Sequence, residues 1–196
     1  MKVVILVEGD HDIQFLRHII SKDGNISPDK VKYFPNRGSV ENTRNPETNA
    51  IRSFLTPWSP HVILAKNEEG KEKVLAYTQT LWNQLDTKTT SARLISLIDY
   101  DGKDPNYYFN KIKKNIENRH SGSVVSIEYE STIRKFILKR NIIIRKNSSM
   151  MFEVCFIAFF SSLEKIVEKE FPEKNMEDGI KKLAQTFCLN DFIACD

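Results

Sequence analysis

The chain has 196 residues, 40% apolar and 28% charged, with a formal net charge of +3. That length allows one full domain with an appendage, or one elaborated domain, and the charge is too near neutral for bulk electrostatics to mark a nucleic-acid binder. Cys155, Cys188 and Cys195 form no C-x-x-C pair, which speaks against a disulfide framework or a cysteine zinc site and for a reducing, cytoplasmic setting. The first apolar run is too short for a signal peptide. The longest one, residues 150–163, is interrupted by Glu153 and too short to span a bilayer, so no membrane role is expected.

Lys2 to Val7 is continuously β-branched or aliphatic, which predicts a parallel strand buried on both faces. Asp10 or Asp12 can cap the next helix, whose Ile13, Phe15, Leu16, Ile19 and Ile20 share roughly one face; Gly24 and Asn25 end it. Val31 to Phe34 predicts a short strand. Pro35 to Thr48, rich in Asn, Arg, Gly, Ser and Pro, predicts a loop, and Ala50 to Leu55 a short helix. His61 to Ala65 reads as another buried strand, followed by a KNEEGKEK turn and a helix through Gln84. Arg93 to Ile98 is the next strand and runs into Asp99-Tyr100-Asp101-Gly102. A helix from Asn106 to Arg119 and a strand from Val124 to Ile127 follow, the strand leading to Glu128 and Glu130.

This alternation predicts an α/β fold with a mostly parallel, Rossmann-like sheet flanked by helices. It stops near Ser131. Met150 to Glu170 predicts a buried helix broken by Pro172, and Asp178 to Phe187 a last helix. The expected organisation is one domain over residues 1–130 with a helical C-terminal extension, 131–196, packed on it.

In an open parallel sheet, ligands gather at the carboxyl ends of the strands. Glu8 ends one buried strand; Asp99 and Asp101 end another. If those strands are neighbours, three carboxylates converge, repel one another, and suit a hard divalent cation such as Mg²⁺. Extended backbone through Asp99-x-Asp101 would turn both side chains the same way. Gly9 and Gly102 each follow a strand-end acid, where the chain must turn and a substrate can approach the backbone. Asp12 is open between a helix cap and an outer contact of the metal site. Capping also competes for Glu8, and an ordinary Asp-Gly turn for Asp99 to Gly102.

The ordered pair of motifs, Val7-Glu8-Gly9 with Asp12, Phe15 and Leu16, then an apolar strand ending on Asp99-Tyr100-Asp101-Gly102, resembles a Toprim domain. Toprim domains occur in topoisomerases, bacterial-type primases, small ribonucleases that mature ribosomal RNA, and OLD-family nucleases. The resemblance covers roughly residues 1–130 and makes them a Toprim-like catalytic domain. It implies that Glu8 works in acid–base chemistry at a phosphodiester or helps hold metal, and that Asp99 and Asp101 bind Mg²⁺ or Mn²⁺. OLD-like members carry a further glutamate after the next strand, at the start of a helix, which Glu130 would match, with Glu128 as competitor. Three features depart from the family pattern. The long interval from Glu8 to Asp99 points to an inserted strand–helix unit near residues 61–90. Asp10 stands where the ribosomal-RNA ribonucleases usually have lysine. The sequence also shows no tyrosine-bearing topoisomerase domain, ATPase domain or zinc-binding domain.

Between residues 131 and 147 all charges are positive: Arg134, Lys135, Lys139, Arg140, Arg145 and Lys146. They could track a phosphate backbone or simply solvate a surface, and Lys111, Lys113 and Lys114 could extend them. The 66–73 turn is a faint phosphate-loop candidate, weakened by Glu68 and Glu69, and residues 36–39 read as a surface loop. Asp10, His11, His18, His61 and His120 read as structural or solvated, and Phe152, Phe156, Phe159 and Phe160 as core or interface packing. The expected function is metal-dependent phosphodiester chemistry on DNA or RNA, as a nuclease. The alternative is a non-catalytic Toprim-like module that binds nucleic acid or a repair partner. A response-regulator-like phosphotransfer role lacks its isolated acceptor aspartate and downstream lysine. The apolar C-terminal helix leaves a homodimer open.

Overall fold

The computed structural model describes residues 1–34, 51, 53–56, 58–85, 91–99, 104–119, 124–133, 136–145 and 151–193. These form β1 (Lys2–Val7), α1 (Asp10–Asp23), β2 (Val31–Phe34), β3 (Ile63–Asn67), α2 (Lys71–Leu85), β4 (Ala92–Asp99) and α3 (Pro105–Arg119). The second half adds β5 (Val124–Ile133), β6 (Ile137–Arg145), β7 (Met151–Phe159), α4 (Leu163–Glu170), α5 (Met176–Gln185) and α6 (Leu189–Ile193). All the described strands join one sheet in the order β2-β3-β1-β4-β7-β6-β5. The first five are mutually parallel; β6 and β5 continue the sheet antiparallel. The α/β, mostly parallel, helix-flanked sheet read from the sequence is the architecture observed.

Strand alternation explains why β1 is apolar from Val3 to Val7. Val3, Ile5 and Val7 face one core, with Phe15, Leu16 and Ile19 of α1, Ile166, Leu183 and Phe192 of the C-terminal helices, and Phe187 between α5 and α6. Val4 and Leu6 face the other, with Phe54, Val74, Leu75 and Phe109. A central parallel strand covered on both sides reads as a near-continuous apolar run. In the first core the Phe15 ring meets Phe159, Phe187 and Phe192 edge-on, with centroids 5.7, 5.5 and 5.8 Å away. Gly24 ends α1 in the left-handed region at φ 66°, a conformation that glycine adopts at little cost.

Two expectations are corrected here. Residues 151–159 form a strand, not the first half of a helix over 150–170; only Leu163–Glu170 is helical. β7 pairs with β4 in parallel along eight residues, from Ala92↔Phe152 to Asp99↔Phe159. Its apolarity is that of a second interior strand, buried from Glu153 to Phe159, and no longer speaks for a dimer. Glu130 lies inside β5, not at the start of a helix. The boundary expected after residue 130 therefore falls within a strand, and the segment beyond it supplies a strand to the middle of the sheet. The 35–48 loop lies outside the described residues. The short helix expected at 50–55 is seen at Ile51, Ser53 and Phe54.

Candidate active site at the carboxyl edge of the sheet

β1 and β4 are adjacent and parallel, with Leu6 level with Ser96. Glu8 and Asp99 therefore emerge at the same edge of the sheet. Glu8 Oε1 accepts a hydrogen bond from the Asp99 backbone N–H at 2.6 Å. Lys71 Nζ, at the first turn of α2, lies 3.9 Å from the same oxygen and 5.4 Å from the centre of the Tyr108 ring. The Glu8 carboxylate is thus fixed by the strand end that carries its expected partner, with a positive charge beside it.

Asp12 both caps and clusters. Its Oδ2 accepts from the Gly9 N–H at 3.0 Å, closing the first turn of α1. The carboxyl is buried, and its pKa lies well above the ordinary value. Burial is the main cause; the negative charge of Asp99 comes next, with smaller contributions from Glu8 and Glu164, while the Gly9 N–H works in the opposite direction. That shift shows Glu8, Asp12 and Asp99 to be electrostatic neighbours. Gly9 is extended, at φ −149° and ψ 177°, and a Cβ there would meet Asp12 Oδ2 at 3.8 Å, an ordinary contact. The backbone therefore makes no demand for glycine at this turn, contrary to the sequence expectation.

Asp10 and His11 are partnered rather than merely solvated. Asp10 Oδ1 accepts from Asn67 Nδ2 at 2.7 Å. His11 Nδ1 lies 2.6 Å from Glu164 Oε1 at the start of α4. Burial acts to raise the Glu164 carboxyl, but the bond from His11, with smaller backbone and Ser162 contributions, holds it below its usual range. The 66–73 turn is not a phosphate cradle. The Glu68, Glu69 and Gly70 amides donate to Val7 O, Asn67 Oδ1 and Glu8 O at 2.9, 2.7 and 2.9 Å. Lys66 and Glu68 form a buried ion pair at 2.7 Å, with Lys66 over the Tyr77 ring. Two successive residues of this turn have positive φ, Glu69 at 58° and Gly70 at 127°, the region that glycine adopts at least cost. Lys71 and Glu164 were not picked out from the sequence. What brings them to Glu8 and His11 is the β3-β1 adjacency and a contact spanning 153 positions, neither of which leaves a local pattern.

The remaining expected residues divide by position. Asp101, Gly102, Arg134, Lys135 and Lys146 lie outside the described residues, as does the 36–39 loop. Glu130 is level with Arg140, Phe156 and Ser96 across β5, β6, β7 and β4. Its backbone is three strand spacings, about 14 Å, from the strand of Asp99, so the sheet does not bring it beside Glu8 and Asp99. Lys139, Arg140 and Arg145 lie on β6 and their side chains, like that of Glu130, are outside the described set. Lys111 is 3.5 Å from Glu72 on α2.

Glu8 and Asp99 supply hard oxygen donors of the kind a divalent cation takes. Among the described residues no group of three or more His, Cys, Asp or Glu side chains is disposed to hold a metal ion. Asp101, two residues beyond Asp99, is the donor the sequence offers to complete the set. No helix among the described residues is long and apolar enough to cross a membrane. Comparison of the chain with protein-family models, curated proteins and solved structures returns no match.

Proposed function

We propose that the chain is a Toprim-type nuclease that cleaves nucleic-acid phosphodiesters with Mg²⁺ or Mn²⁺. The observation that carries this reading is the Glu8–Asp99 hydrogen bond across neighbouring strand ends. It joins the two acids that carry the resemblance, 91 residues apart, at the edge where a parallel sheet binds its ligands. Asp99, with Asp101, would hold the cation. When bound, the cation supplies Lewis acidity toward the phosphate and a water of lowered pKa. Glu8, anchored by the Asp99 amide, is positioned to take or return a proton. Lys71 places a positive charge beside it, and Asp12 closes the turn that carries it.

The test is cleavage of labelled single- and double-stranded DNA and RNA with Mg²⁺, Mn²⁺ or EDTA. The expected result is metal-dependent cleavage that falls by at least about 100-fold in Glu8→Gln and Asp99→Asn, the scale of losing an acid–base group, with binding retained. Binding without cleavage of any substrate would overturn the nuclease reading in favour of a non-catalytic module.

A further inference from the structure

At the end of β7, on the same edge of the sheet as the carboxylates, lies a concavity. A cleft of about 340 Å³ lies between Phe136, Phe160 and the α4 residues Lys165, Ile166, Lys169 and Glu170. Phe160 is 41% exposed, whereas Phe156 and Phe159 before it are buried. The main chain ties the two aromatic walls together: the Phe160 N–H donates to Phe136 O at 2.7 Å. Lys165 and Lys169 are four residues apart, so they share one side of α4. Among the described residues Glu170 is the single acid on the wall, against two lysines.

The cleft also has a defined place relative to Glu8 and Asp99. Phe159 is level with Asp99 across the β4–β7 pairing, so Phe160 begins one strand spacing, about 5 Å, from the end of β4. The His11–Glu164 contact ties the first turn of α4, next to Lys165, to the first turn of α1 behind Glu8. A strand of nucleic acid lying over the carboxylates would pass this cleft next.

We infer that the cleft binds one unpaired nucleotide of single-stranded nucleic acid, with its base against Phe160 and its phosphates at Lys165 and Lys169. This rests on the phosphodiester reading of the neighbouring site and narrows its substrate. The volume is at the lower end for ligand sites, which suits one nucleotide and not a base pair. An exposed aromatic face stacks any base, and the lysines meet phosphate as point charges. Stacking requires a base free of the duplex.

The experiment measures binding of a labelled oligothymidylate in EDTA, against a blunt duplex of equal length, with metal-dependent cleavage of the same oligonucleotides followed in parallel. The expected result is preference for the single strand and binding about tenfold weaker in Phe160→Ala. Phe160→Trp keeps the affinity. Replacing both lysines with alanine reduces the slope of log affinity against log salt by about 1.4. Phe160 and both lysines are surface positions, so melting curves of the variants should match the wild type. Variants that bind like the wild type, or a duplex bound as tightly as the single strand, overturn the cleft; if cleavage persists, the nuclease reading stands. Cleft-dependent binding without metal-dependent cleavage of any DNA or RNA substrate overturns the nuclease reading alone. No binding of the oligonucleotide overturns the cleft and leaves the nuclease reading to the cleavage of the other DNA and RNA substrates.

Discussion

Asp12 keeps its proton to higher pH in the folded chain than in the unfolded one, because burial and then the Asp99 and Glu8 charges penalise its anion. The sign for stability follows. The benefit of its neutral form is complete below the unfolded value, near 3.8, and is lost as pH rises through the higher folded value. Asp12→Asn keeps an oxygen for the Gly9 N–H and removes the charge. Without divalent metal it should raise Tm at neutral pH by about 3 °C, the scale of one kcal/mol in a chain of this size, and change Tm little in acid. Thermal melts across pH check this; a lower Tm for the variant at pH 7 contradicts it. Gly9 carries the opposite lesson. Its position after a strand-end acid suggested a conformational need, yet its backbone is one that any residue adopts.

At the scale of elements, α4 and α5 approach closely where the sequence places a glycine. A Cβ on Gly179 would lie 2.2 Å from Val167 Cγ1. Val167 is buried and β-branched, so its side chain cannot swing clear. Gly179→Ala should cost about 1–3 kcal/mol by overpacking, and Val167→Ala in the same chain should return part of that loss in a double-mutant cycle. Additive effects of the two substitutions would contradict the close approach. Elements with a clear period were legible: β1, α1 and β4 stand within a residue or two of where their patterns put them. β7 was not, because a short continuous apolar run fits a buried helix and a buried strand equally. Read as a helix, Phe160 belonged to a packed aromatic stripe. Read as the residue beyond a strand, it is the exposed wall of a cleft. Glu8 and Asp99 were legible because each ends its own apolar run. Lys71, Glu164 and the cleft were not, because strand order and the docking of α4 bring them to the site.

For the whole molecule, the placement of β7 has a direct consequence. A chain ended after residue 130 keeps every residue that carries the family resemblance but loses the strand beside β4, together with Leu163, Ile166, Leu183, Phe187 and Phe192 of the first core. It also exposes the β4 edge, an invitation to pair with another chain. Such a fragment should show no cooperative thermal transition; a sharp melt like that of the full chain would mean that residues 1–130 fold alone. The buried Arg93–Glu153 pair, joining β4 to β7, further binds the two halves. The sheet thus sets Glu8 beside Asp99 through elements drawn from the whole sequence, and in the proposed chemistry Glu8 works next to the cation that Asp99 would hold. Calorimetric titration of Mn²⁺ into the wild-type chain, Glu8→Gln and Asp99→Asn measures whether both acids serve that cation. The expected result is a wild-type site weakened at least about tenfold by either substitution; equal Mn²⁺ affinity in all three proteins, or none in the wild type, would rule out a shared metal site.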